Sequence, residues 1–145
     1  MKTMKFYLIA LVSVLVLPAC AERDTVISMN DLPTEAQTFL KNFAQKKIAL
    51  IKMEREGLSK EYDVVFTDGS NIEFNAGGYW KEINNHQSAV PESVIPAQIK
   101  DFVNTNYPGT SIIQIERSRH NYEIELSNKF DIKFDTKFRV TDIED

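Results

Sequence analysis

The residues able to do chemistry are few and poorly grouped. His86 and His120 are the two histidines, and neither has a second His or a Cys at ligand spacing. Zinc needs three or four converging nitrogen and sulfur ligands, so an imidazole in a polar stretch (His86) and one in the Ser118-Arg119-His120-Asn121 turn read as solvated loop residues. Cys20 is the single cysteine, which excludes an internal disulfide and a cysteine-built metal site. A Ser-x-x-Lys motif would set nucleophile and base on one helical face, but Ser93 is followed by Val94-Ile95-Pro96. Gly77-Gly78 lacks the strand-to-helix setting and the lysine of a phosphate loop. The sequence therefore offers no catalytic site, no metal site and no cofactor site.

Carboxylates are the exception. If strand alternation holds, Lys52, Glu54, Asp63, Glu73, Gln114, Glu116, Glu123, Glu125, Asp131 and Lys133 all project from one face of a sheet, and seven of these ten are acids. A solvated face that resists edge aggregation is the plain explanation. The functional one is an acidic platform, marked by Asp63, Glu73, Glu123 and Glu125, for a basic peptide or protein loop or for weak calcium binding. Tyr79 and Trp80 form an aromatic pair whose counterpart further along is Arg139-Val140. Aromatic residues are enriched at binding hot spots, although alternation turns one of the two inward.

The elements that would position these residues recur along the chain. Leu32-Pro33, Ala36, Phe39 and Leu40 match Ile95-Pro96, Ile99, Phe102 and Val103 at an offset of 63. Leu50 to Arg55 match Ile112 to Arg117 at 62, and Tyr62 to Phe66 match Tyr122 to Leu126 at 60. Ile72-Glu73-Phe74 matches Ile132-Lys133-Phe134, and Ile83 matches Ile143, also at 60. Each copy opens on an amphipathic helix with Pro early in its first turn, where a missing N–H costs nothing. Alternating strands follow, with Asp68-Gly69 as a tight hairpin turn and Asn128-Lys129 as its weaker counterpart. The expected fold is α+β: two tandem α-β-β-β-β repeats, 31–83 and 91–145, forming one curved antiparallel sheet of about eight strands packed on two helices. Asn84 to Ala89 reads as a polar linker between them.

The first 21 residues read as an export leader. Lys2 and Lys5 precede an apolar run from Phe6 to Leu17, and Pro18-Ala19-Cys20-Ala21 supplies a small-residue cleavage region. Leu17-Pro18-Ala19-Cys20 resembles a lipobox that would lipidate Cys20, whereas Ala19-Cys20-Ala21 reads as an A-x-A site cut before Glu22; both stay open. The product is periplasmic or otherwise exported, or is held on a membrane by a lipid at Cys20. Without Lys2 and Lys5 the formal charge moves from −4 to −6 over residues 22–145, a single domain. That balance, with no cluster of Lys and Arg, argues against nucleic acid as a partner.

The exported start, the Leu-Pro helix, the Tyr-Asp-Val-Val-Phe-Thr-Asp-Gly hairpin (62–69) and the Ile72-Glu73-Phe74 strand resemble the PepSY-like, β-lactamase-inhibitor-like exported proteins. The resemblance spans residues 22–145 and rests on structural motifs. It implies a periplasmic or surface protein with tandem units and a sheet open for binding, and it carries over no catalytic residues. The function expected is a non-enzymatic envelope binding module, an inhibitor or chaperone of an exported protein or peptide. The alternative is an envelope sensor of a small ligand or calcium.

Overall fold

The computed structural model describes residues 24–86 and 88–145, so the leader and Cys20 lie outside the described residues. Nine strands run in sequence order across one open antiparallel sheet: β1 (Thr25–Ile27), β2 (Ile48–Glu56), β3 (Ser59–Phe66), β4 (Asn71–Asn75), β5 (Trp80–Asn84), β6 (Ile112–Arg117), β7 (Asn121–Leu126), β8 (Asp131–Asp135) and β9 (Val140–Glu144). Two short helices, α1 (Thr34–Phe39) and α2 (Ala97–Asn106), interrupt the series after β1 and after β5. Among the described residues no helix is long and apolar enough to cross a membrane.

The sheet has one more strand than the sequence pattern predicts. β1 is three residues long and pairs Thr25, Val26 and Ile27 with Met53, Lys52 and Ile51. Three residues carry too little alternation to be read in advance, and pairing with the longer β2 is what makes them a strand.

One aliphatic row organises the dry face. Ile27 lies opposite Ile51, Ile51 opposite Val64, Val64 opposite Ile72, and Ile72 opposite Ile83. Ile83 lies opposite Ile115, Ile115 opposite Ile124, Ile124 opposite Ile132, and Ile132 opposite Ile143. All but the two end members are buried; Ile143, on the open edge, keeps 45% of its surface exposed. β-Branched residues fit a pleated surface and interact best when directly opposed, so this row fixes the register of every strand pair.

The helices cover that face with their apolar stripes. Leu32, Ala36, Leu40 and Phe43 are buried, with Leu40–Phe43 continuing α1 as a 3-10 turn, and Ile99 and Val103 are buried in α2. Each helix sets one phenylalanine edge-on to the sheet: Phe39 on Phe74 at 5.8 Å and Phe102 on Phe134 at 5.4 Å. Such pairs add to the burial of the rings themselves.

The Asp68-Gly69 turn forms as expected, with Gly69 at φ 85° and Gly69 N–H donating to the Phe66 carbonyl. Lys129 takes the corresponding position between β7 and β8 at φ 75°, in a backbone region that costs a side-chain-bearing residue energy. The polar linker, by contrast, is pinned. Asn85 is buried, donates through Nδ2 to the Ala89 carbonyl at 2.7 Å, and accepts from Lys46 Nζ. Lys46 also donates to Asp68 and Ser70 at 2.7 Å each, joining the chain after α1, the β3–β4 turn and the linker. His86 is exposed but anchored, its Nε2 2.6 Å from the Gly69 carbonyl.

The seating of α1 rests on Gly78, which turns at φ 82° between β4 and β5. A Cβ built there would lie 2.8 Å from Pro33 Cβ and 2.9 Å from the Ala36 nitrogen, whereas one at Gly57 (φ 60°) would meet nothing. Gly57→Ala is expected to cost about 1 kcal/mol for its left-handed backbone alone. Gly78→Ala should cost that plus about 1–3 kcal/mol of overpacking against backbone that cannot retreat. Chemical denaturation of the two variants checks this; equal losses would contradict the close helix–turn contact.

Candidate functional site

Every residue adjacent in sequence to the aliphatic row must face the other way, and these neighbours also fall into register. Lys52 lies opposite Asp63, Asp63 opposite Glu73, Glu73 opposite Glu82, and Glu82 opposite Glu116. Glu116 lies opposite Glu123, Glu123 opposite Lys133, and Lys133 opposite Asp142. Five consecutive strands thus contribute five carboxylates to one line, with a lysine at each end. Strands are about 4.8 Å apart, so the five span about 19 Å.

Lys52 lies 3.5 Å from Asp63, and Lys133 lies 4.0 Å from Glu123 and within reach of Asp142 and Glu144. Lys81 is 2.7 Å from Glu61, beside the row. No ion pair among the described residues neutralises Glu73, Glu82 or Glu116; Glu82 accepts instead from Gln114 Nε2 at 2.8 Å. Partial burial pushes the Glu73 carboxyl above its ordinary range, with Lys81 opposing and Asp63 and Glu61 adding. Burial likewise raises Glu82, reinforced by Glu73, Glu116 and Asp63. Glu123 is raised by burial, with Glu116 and Asp131 adding to it against Lys133.

Of the residues singled out from sequence, Asp63, Glu73 and Glu123 stand in the row. Glu125 stands on the same face one step along, opposite Gln114 and Asp131, with Lys129 Nζ at 3.0 Å. Gln114, Glu116, Glu123, Glu125 and Asp131 border a shallow hollow of about 140 Å³. Trp80 is not part of this face: it is 7% exposed on the dry side, beneath Phe39. Tyr79 sits in the turn before β5 and is 57% exposed. Glu82, the middle of the row, was missed by sequence reasoning, although inward Ile83 already implied an outward neighbour. Among the described residues no three His, Cys, Asp or Glu side chains converge as metal ligands do.

The row sets the pH behaviour. A carboxylate whose pKa is raised by folding binds protons more readily folded than unfolded, so its ionisation weakens the fold as pH rises through that window. Lowering the pH from 7 toward about 5 should therefore raise the thermal midpoint. Asp68 works in the opposite sense. Hydrogen bonds from Lys46 and then Ser70 hold its carboxyl far below the usual range, so its stabilisation is lost only below about pH 4. Because the row is partly exposed, Glu82→Gln should stabilise by only about 0.5 kcal/mol at pH 7, and should flatten the rise on acidification. Thermal melts across pH check both; a midpoint that falls steadily from pH 7 to 5 would contradict the row's electrostatics.

The comparisons with known proteins agree with this architecture. A crystal structure described as a putative periplasmic protein of the DUF2874 family from Bacteroides vulgatus is 48% identical, with a TM-score of 0.84, over 86% of this chain and 99% of that one. One described as a putative calcium-regulated periplasmic protein from Bacteroides thetaiotaomicron is 42% identical, with a TM-score of 0.82, over 84% and 97%. A third, of unknown function and also from Bacteroides vulgatus, is 36% identical with a TM-score of 0.79, over 85% and 100%. No curated protein matches the chain. Kinship with these proteins places the chain in the periplasm. The family model described as "Putative beta-lactamase-inhibitor-like, PepSY-like" matches residues 60–142, from β3 into β9. The chain belongs to this PepSY-like, β-lactamase-inhibitor-like family.

Proposed function

We propose that the chain is a non-enzymatic binding module of the periplasm whose acid row receives a basic segment of an exported protein or peptide. The observation that carries this reading is the row itself: five carboxylates directly opposed on neighbouring strands, with no lysine between Asp63 and Glu123. Like charges directly opposite each other cost about 0.2–1 kcal/mol per pair, and alternating Lys with Glu would remove that cost while keeping the face wet. A feature that breaks a local rule without a structural return points to function. Basic side chains laid across the row would offset its charge and lower the raised pKa values of Glu73, Glu82 and Glu123. Restraint of an exported enzyme is the form of this activity that the family name supports, with chaperoning of an exported protein as its variant.

In this reading the binding face belongs to one domain, 22–145, built from two tandem units, 31–83 and 91–145. The turns support the pairing. Asn75 accepts from Gly77 and Tyr79 nitrogens as Asp135 does from Lys137 and Arg139, and the β4–β5 and β8–β9 pairs shift register just before Phe74 and Phe134. Residues 1–21 act as the export leader when the chain is cut before Glu22; a cut before Cys20 instead would leave a lipidated Cys20 that holds the module at a membrane.

Calcium is the second reading, favoured by the relative described as calcium-regulated. Glu116, Glu123, Glu125 and Asp131 border the hollow where it would be tested, although they do not converge as ligands in this structure. The two readings separate by experiment. Mature protein (Glu22 onward) serves as bait in envelope extract beside a bait with Asp63→Asn and Glu73, Glu82, Glu116 and Glu123 each changed to Gln. A partner held by the first and lost by the second is expected, and recovery of the same partner by both would overturn the acid-row reading. A saturable calcium titration of the Glu116 and Glu123 amide signals, with no partner from either bait, would favour the second reading.

A further inference from the structure

β5 and β6 pair only through Glu82–Asn84 and Gln114–Glu116, so the seam between the two halves of the sheet opens toward Trp80. Arg117 fills the opening. Its Nε donates to the Trp80 carbonyl at 2.7 Å, a backbone acceptor that continued pairing would otherwise have used. Its guanidinium carbon lies 4.1 Å from the centroid of the Trp80 ring, a cation–π stack, and Tyr122 stands directly opposite it on β7. Two contacts therefore fix the plane of the guanidinium before any ligand arrives.

What this arginine lacks is an anion. Among the described residues no carboxylate pairs with it, in a chain whose acids outnumber its bases by 21 to 17. Tyr122 is the arginine's side-chain hydrogen-bond partner, a neutral hydroxyl, and the half-buried guanidinium keeps N–H donors beyond those used by Tyr122 and the Trp80 carbonyl. They border a cleft of about 620 Å³ whose wall includes Trp80, Tyr122, Asn75 and exposed Arg119. Lys81 and Glu61 on the same wall satisfy each other, and Glu116 borders the cleft from the acid-row side. That volume is of the size that holds small organic ligands.

We propose that this cleft is a carboxylate-binding site in which Arg117 is the anchor and Arg119 the second cation. A guanidinium with Nε occupied still offers two parallel N–H donors, the fork that matches a carboxylate. Half-buried Tyr122 and the narrow exposed rim of Trp80 give that carboxylate an apolar neighbour. The ligand class is an apolar organic acid, either free or as the C-terminus of a peptide. The site does not depend on the acid-row reading, since it uses the cations of the seam.

Trp80 is the only tryptophan, so its fluorescence reports on the site directly. The probes are N-acetyl-phenylalanine, an acetylated Gly-Gly-Phe peptide, and the C-terminal amide of each. A saturable change is expected with both acids, about tenfold weaker with the amides. Arg119→Gln, which alters only an exposed side chain, should weaken it severalfold, and Arg117→Met should abolish it. Binding of the peptide about tenfold tighter than the amino acid would mark a chain end as the ligand, and equal binding a free acid. No saturable response, equal responses to acid and amide, or unchanged affinity in both variants would overturn the proposal. Inorganic phosphate displacing the acids at a lower concentration than acetate does would overturn the carboxylate assignment.

Discussion

The structure depends on the burial of a single aliphatic row that crosses all nine strands, from Ile27 to Ile143. A sheet whose strands follow in sequence order, joined by short turns except where α1 and α2 intervene, has no crossover to lock its register. A slip of one residue would turn every inward side chain outward. Here each strand contributes one β-branched residue to a common line, so any slip exposes an isoleucine or valine and buries a charge. The helices add the cover, and Phe39 and Phe102 press their rings on Phe74 and Phe134 from above. Turn chemistry is secondary to this. Lys129 and Phe138 hold positive φ values where glycine would be easier, because the register on either side leaves the chain no other path.

The acid row follows from the same line. Once Val64, Ile72, Ile83, Ile115 and Ile124 are aligned on one face, their chain neighbours Asp63, Glu73, Glu82, Glu116 and Glu123 are aligned on the other. The fold therefore dictates that five residues stand in a row; it does not dictate that they be acids. Polar residues of either sign would keep the face wet. Placing lysines at Lys52 and Lys133, outside the acids, concentrates the negative potential at the middle of the sheet, where β5 meets β6. The same junction opens just beyond the Glu82–Glu116 pair into the Arg117 cleft, so acidic and basic side chains lie on adjoining parts of one seam.

Much of this was legible in the sequence because burial on one face writes a period of two. The inward residues of β3, β4, β7 and β8, the Asp68-Gly69 turn, and the outward positions of Asp63, Glu73 and Glu123 could all be read that way. β1 could not, since Thr25–Ile27 is a strand only by virtue of β2. Glu82 was obscured because the β4–β5 register shift turns both Trp80 and Ile83 inward, breaking the period of two that would have marked it. The linker looked polar and free because Asn85 carries no mark of burial; its partners, Lys46 and the Ala89 and Ile113 carbonyls, include groups distant in the chain. Arg117 was invisible as a site for a similar reason. In sequence it ends a strand, and only the splayed seam turns it toward Trp80.

The central claim is that folding forces the carboxyls of the row together and holds Glu73, Glu82 and Glu123 above their ordinary pKa values. A carbon-detected NMR titration of the side-chain carboxyls measures this residue by residue against the ordinary glutamate value of about 4.3. The expected result is that Glu73, Glu82 and Glu123 titrate above the ordinary glutamate value, and that Glu82 and Glu123 move down when Glu116 is changed to Gln. Titration of all three at that ordinary value, with Glu82 and Glu123 unmoved by the substitution, would contradict the row and leave an ordinary solvated sheet face.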